Sequence, residues 1–125
     1  MKDISQELLD ACVRGDDRSV RKFLELGADP NSIDNEGRAP LHYAIQGRSV
    51  DVVSELLNAG AQIDVADANG NTPLSDAVFY AEGKKETIVY LLERGADPDR
   101  ENNYGVSPRA LSKSIANYDY QDCFK

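Results

Sequence analysis

The chain carries one histidine, His42, in the stretch "GRAPLHYAI". Acid–base catalysis or metal binding through that imidazole needs company: a nucleophile in reach, an orienting partner, or a second histidine. None is spelled out, and there is no GxSxG elbow and no phosphate-cradling glycine loop. The two cysteines, Cys12 and Cys123, lie far apart and outside any CxxC pair. Both sit in apolar helical patterns, where cysteine packs as a small hydrophobe, so reduced thiols and a cytoplasmic setting are expected. The acidic run "DPDRENN" lacks the regular ligand ladder and closing glutamate of a calcium loop. No catalysis, metal or cofactor is expected.

Charge narrows the choice of partner. With 22 acids against 14 bases the net charge is −8. Such a chain is repelled by nucleic-acid phosphates and favours a protein with a basic surface. No apolar stretch reaches the roughly 20 residues of a membrane span, and "MKDISQELLDA" shows no signal-peptide pattern. A monomer is the default, with pairing through an aromatic patch as the other option.

The elements that must position these groups repeat. "LELGADPN", "LNAGAQID" and "LERGADPD" align, placing Gly27, Gly60 and Gly95 at spacings of 33 and 35 residues. "NEGRAPLHYA", "ANGNTPLSDA" and "NYGVSPRALS" keep the same step, with Pro40, Pro73 and Pro108 in register. The two extra residues fall in "FYAEGKKE", between two helical stretches, where a longer turn costs little. Each proline suits a first helical turn, and Thr72 or Ser107 before it can cap the helix. A short helix follows, then a second with apolar residues three and four apart, as in "VDVVSELL" and "ETIVYLL". Such pairs cannot bury an apolar face alone; stacked copies can.

These motifs resemble the ankyrin repeat, with its D-x-x-G-x-T-P-L-H-x-A start and later LLxxGADxN. The resemblance covers nearly the whole chain. It implies an all-α solenoid of stacked helix-turn-helix units joined by short β-hairpin or turn connections. Two internal repeats, 34–66 and 67–101, lie between an N-terminal capping repeat, 1–33, and a C-terminal one, 102–125. Ala39 stands where threonine is usual, Ser75 where histidine is usual, and Arg109 where leucine is usual. Arg109 marks either a cap that needs no further neighbour or a one-residue slip of the helix. His42 takes the motif histidine position. There the resemblance implies a structural role, bonding backbone near the hairpin and tying neighbouring units.

The resemblance also implies a use: protein binding, on the concave side formed by hairpin tips and the exposed face of each first helix. Carried over by position, the partner-binding residues are Asn35, Glu36 and Arg38 at one tip, Asp67, Asn69 and Asn71 at the next, and Tyr104 at the last. On the first helices they are Tyr43, Gln46, Asp76, Phe79 and Tyr80. Adjacent exposed aromatics at Phe79 and Tyr80 suit binding, unless Phe79 folds back over the longer turn. The hairpin stretches gather Asp29, Asp34, Glu36, Asp64, Asp67, Asp97, Asp99 and Glu101 against Arg38 and Arg100. Turn chemistry accounts for part of this acid.

Small size and the stretch "SIANYDYQDCF" further resemble short bacterial ankyrin proteins that act as immunity partners of secreted toxins. That reading implies neutralisation of a basic toxin domain. Reversing charge at Glu36 or Asp67 should then slow association. The other reading is a general adaptor or regulator binding one or more host proteins.

Overall fold

A computed structural model describes residues 3–115 and 118–124. Helices α1 (Ile4–Arg14) and α2 (Asp17–Glu25) form a first antiparallel pair. Helices α3 (Pro40–Gln46) and α4 (Val50–Asn58) form a second, and α5 (Pro73–Tyr80) and α6 (Glu86–Glu93) a third. Helix α7 (Pro108–Ser114) follows, then one 3-10 turn, Gln121–Phe124. The first helices stack as an inner row, α1 on α3 on α5 on α7; α2, α4 and α6 stack as an outer row. Among the described residues no strand forms, so the connections are turns.

The period is written into the core. Leu8, Leu41 and Leu74 are all fully buried, as are Val20, Val53 and Ile88. Ala11, Ala44 and Ala77 form a third buried series and Cys12, Ile45 and Val78 a fourth. Side chains at equivalent positions fill successive layers between the rows, so each layer loses its cover if a neighbour is lost. Truncating one of them, such as Leu74→Ala, should cost about 2–5 kcal/mol.

Local chemistry sets where the helices start and stop. Thr72 and Ser107 accept the amides of Ser75 and Ala110 as N-caps, ahead of prolines whose missing N–H costs nothing there. Ala39 has no oxygen to offer and makes no such bond. Each second helix closes in the same way. Ala28, Ala61 and Ala96 donate back to Phe23, Leu56 and Leu91, across glycines held at φ between 96° and 102°. That left-handed residue is the natural place for glycine.

Arg109 does not mark a slipped helix. Ser107 has φ −91° and ψ 163°, close to the −94° and 166° of Thr72, so α7 starts in register. Arg109 occupies the place of Leu41 and Leu74. It reaches out to Asp99 at 2.7 and 3.2 Å and donates to the Phe124 carbonyl. The extra two residues widen the α5–α6 turn to Ala81–Lys85, against Gly47–Ser49 between α3 and α4.

Candidate functional site

Three successive turns are built on one template. Asp34 Oδ1 accepts the amides of Glu36 and Arg38, and Asp67 Oδ1 those of Asn69 and Asn71. Asn102 Oδ1 accepts those of Tyr104 and Val106, and all six bonds are 2.9–3.0 Å long. A short side chain that bonds its own backbone two and four residues on fixes a tight turn. The tips are tied together: Ala68 donates to the Glu36 carbonyl and Asn103 to the Asn69 carbonyl, both at 2.9 Å. At Gly70, φ is +80° and a Cβ would lie 2.8 Å from the Asn103 nitrogen, so only glycine lets the tips meet.

His42 locks the same edge from below. Its Nδ1 accepts the Ala39 N–H at 3.0 Å, and its Nε2–H donates to the Asn71 carbonyl at 2.9 Å. With Nδ1 accepting, the proton sits on Nε2 and the ring is neutral. Burial pushes its pKa below the usual 6.5, against the pull of the Asn71 carbonyl and of Asp76 and Asp67. The ring therefore has both nitrogens occupied by backbone and neither free for chemistry.

Beside it lies an ionic cluster. Arg38, only 12% exposed in its side chain, donates to Asp67 at 2.9 Å and to Asp76 at 2.5 Å. Its guanidinium also lies 5.3 Å from the centre of the Tyr43 ring. The Tyr43 hydroxyl donates to Asp34, and burial together with that carboxylate pushes the phenol up to about 12. Desolvation opposes ionisation of Asp34, yet the bonds from Tyr43 and the Arg38 and Glu36 amides hold its carboxyl below the usual range. Two carboxylates share one guanidinium, and burial raises the Asp76 carboxyl despite Arg38.

Two sequence expectations need correction. Asp76, expected on the exposed face of its helix, is 6% exposed because Arg38 draws it inward. Asp67, expected at a tip, is 9% exposed: one oxygen organises its turn and the other holds Arg38. Charge reversal at Asp67 would thus break the fold before it could report on association.

Above the cluster a groove of about 380 Å³ runs between α5 and α7 and the turns that precede them. Its floor holds Arg38, Asp67 and Asp76, and Asn69, Asn71 and Tyr80 also line it. Phe79 and Tyr104 stand on it 64% and 76% exposed. Phe79 does not fold over the longer turn; it meets Tyr80 edge-on at 5.0 Å. Gln46 reaches the Tyr80 hydroxyl at 3.4 Å. Asn35 and Glu36 are exposed on the neighbouring tip. The structure thus brings eight of the expected residues around one concavity: Arg38, Asp67 and Asp76 in its floor, with Asn69, Asn71, Phe79, Tyr80 and Tyr104. Tyr43, Gln46, Asn35 and Glu36 extend along the adjoining surface.

Asn102 was missed, although its side chain builds the third turn, bonds Asn71 at 2.9 Å and lines the groove. Its signal was available, since positions 34, 67 and 102 keep the spacing of the glycines. The acid of the hairpin edge is mostly structural. Asp29, Asp34, Asp64, Asp67 and Asp97 each accept a backbone amide, and Asp99 is paired with Arg109. Their charge still contributes to the field of that edge.

A family model described as "Ankyrin repeats (3 copies)" matches residues 8–102. The chain is 36% identical over 113 residues to cyclin-dependent kinase 4 inhibitor B of Mus musculus, covering 90% of this chain and 85% of the relative. It is 35% identical over 106 residues to Protein PhlB of Serratia liquefaciens, covering 84% of this chain and 46% of that protein. With SH3 and multiple ankyrin repeat domains protein 2 of Homo sapiens it shares 39% identity over 92 residues, 71% of this chain and 5% of that one.

Proposed function

The chain belongs to the ankyrin-repeat family of protein-interaction modules, and from that premise we propose that the groove beside Phe79 and Tyr104 seats its protein partner. The observation that carries this is the exposure of two large aromatics on one concavity whose floor is charged and ion-paired. Aromatic side chains held on a fixed frame bind at low entropic cost. The module acts by occupancy, without catalysis. The surrounding acid, with Glu36 exposed at the next tip, favours a partner with a basic surface.

The finer reading is an immunity protein: a small cytoplasmic monomer that covers a basic toxin domain and blocks its substrate surface. Two similarities support it. The mouse relative is by name an inhibitor of another protein, and the Serratia relative is bacterial. A general adaptor is the second reading, favoured by the human relative, in which the matched segment is 5% of a larger protein.

The test starts from native co-purification of the tagged chain from its own cells, with the partner identified by mass spectrometry. Its affinity is then measured for the unaltered chain, for Phe79→Ala/Tyr104→Ala and for Glu36→Lys, at low and high salt. The immunity reading expects one tight basic partner. Binding should fall at least tenfold in the double variant, and association should slow in the charge variant. Several weak partners would favour the adaptor. A partner bound equally well by the double variant would overturn the groove.

A further inference from the structure

Helix α7 has no companion helix among the described residues; residues 118–124 pack there instead. Tyr120 is fully buried, and its hydroxyl oxygen accepts the Gly83 N–H at 2.5 Å. Tyr118 stacks on Tyr120 with ring centres 5.9 Å apart. It also covers Gly83, where an added Cβ would lie 2.9 Å from its ring. Phe124 is buried too, its carbonyl held by Arg109.

Gly83 is the middle of the widened Ala81–Lys85 turn. Glu82 and Gly83 are both left-handed, with φ of 49° and 90°. The turn has little of its own to hold that shape. Lys84 donates to the Ala81 carbonyl at 2.9 Å, and Glu82 pairs at the surface with Arg48. A non-glycine residue at positive φ persists only where its surroundings impose it. The turn begins one residue after Tyr80, and α5 is a helix of eight residues, too short to resist fraying unaided.

We propose that Tyr120 is a positioning residue for the groove: by accepting the Gly83 N–H it pins the Ala81–Lys85 turn, and so fixes the last turn of α5 with Phe79 and Tyr80. The proposal rests on the groove being the docking site. Without the pin, Glu82 relaxes, the last turn of α5 opens, and a partner must order it again on binding.

The test compares the full chain with Tyr120→Phe, which keeps the ring and removes only the acceptor, and with Gly83→Ala, which pushes Tyr118 off the turn. Amide hydrogen exchange is followed residue by residue by NMR, with no partner present. Both variants should speed exchange about tenfold at residues 79–85. Residues 41–45 and 52–56 should keep their rates. Faster exchange confined to 118–124 would overturn the proposal, and so would uniform acceleration along the chain, the mark of a merely structural bond. Either failure leaves the docking groove standing, because that reading falls only if partner binding ignores Phe79 and Tyr104.

Discussion

The His42 Nε2–H donates to the carbonyl of Asn71, 29 residues further along the chain and in the next turn of the stack. A single neutral ring thus joins the start of α3 to the turn that precedes α5. Its other nitrogen is already held by Ala39.

Burial of that ring, against the pull of the Asn71 bond, makes stability depend on pH. The folded-state pKa of His42 lies below its unfolded value of 6.5, so the unfolded chain binds the proton more readily. Stability is then full above about pH 6.5 and falls as pH drops below it, by at most about 1.4 kcal/mol per pH unit. Asp76, with a raised pKa, runs the other way and adds stability on acidification, so it cannot mimic the loss. Urea midpoints measured from pH 8 to 5 should show the decline. His42→Gln, which can offer the same acceptor and donor without titrating, should flatten it. His42→Leu leaves two buried backbone groups unpaired and should cost about 2–4 kcal/mol at pH 7.

Ala39→Thr should stabilise the chain. Residue 39 has φ −95° and ψ 165°, against −94° and 166° at Thr72, whose hydroxyl caps α5 from a fully buried position. A hydroxyl at residue 39 would meet the His42 amide in the same way, for a gain of about 1 kcal/mol. An unchanged or lower urea midpoint would show that the first internal turn lacks room for it.

Arg38→Met and Asp76→Asn should differ sharply. Removing the guanidinium leaves Asp67 and Asp76 buried without their cation and should cost about 3–5 kcal/mol. Neutralising Asp76 relieves a desolvated carboxylate and leaves Asp67 bonded to Arg38, for a change within about 1 kcal/mol. Chemical denaturation of both variants at pH 7 checks the order, and comparable losses would refute the two-acids-to-one-base account.

Phe79→Ala and Tyr104→Ala should leave stability within about 0.5 kcal/mol of the unaltered chain, because both rings are mostly in water. Their effect should appear only when a partner is titrated in. A large drop in melting temperature would place these rings in the packing rather than in the binding surface.

Much of the fold was legible because its cause is periodic. Gly27, Gly60 and Gly95 sit at positive φ, and Pro40, Pro73 and Pro108 open helices, as their spacing indicated. The site was legible in part. Phe79, Tyr80 and Tyr104 reach the groove from positions that register alone could assign. Asp76 could not be placed that way. Its helical position faces outward, and only Arg38, 38 residues earlier, pulls it in. Tyr120 was equally hidden, because its partner Gly83 lies 37 residues away in a turn whose conformation no repeat repeats.

The sequence by itself determined the repeating step, the order of the helices, and where they start and stop. Each of these follows from bonds within a few residues or from a step repeated along the chain. The tertiary structure alone decided which acids are buried against Arg38, that the His42 Nε2–H meets the Asn71 carbonyl, and that Tyr118 and Tyr120 lie against the widened turn. Those are contacts between segments far apart in sequence, and their geometry exists only once the layers have stacked.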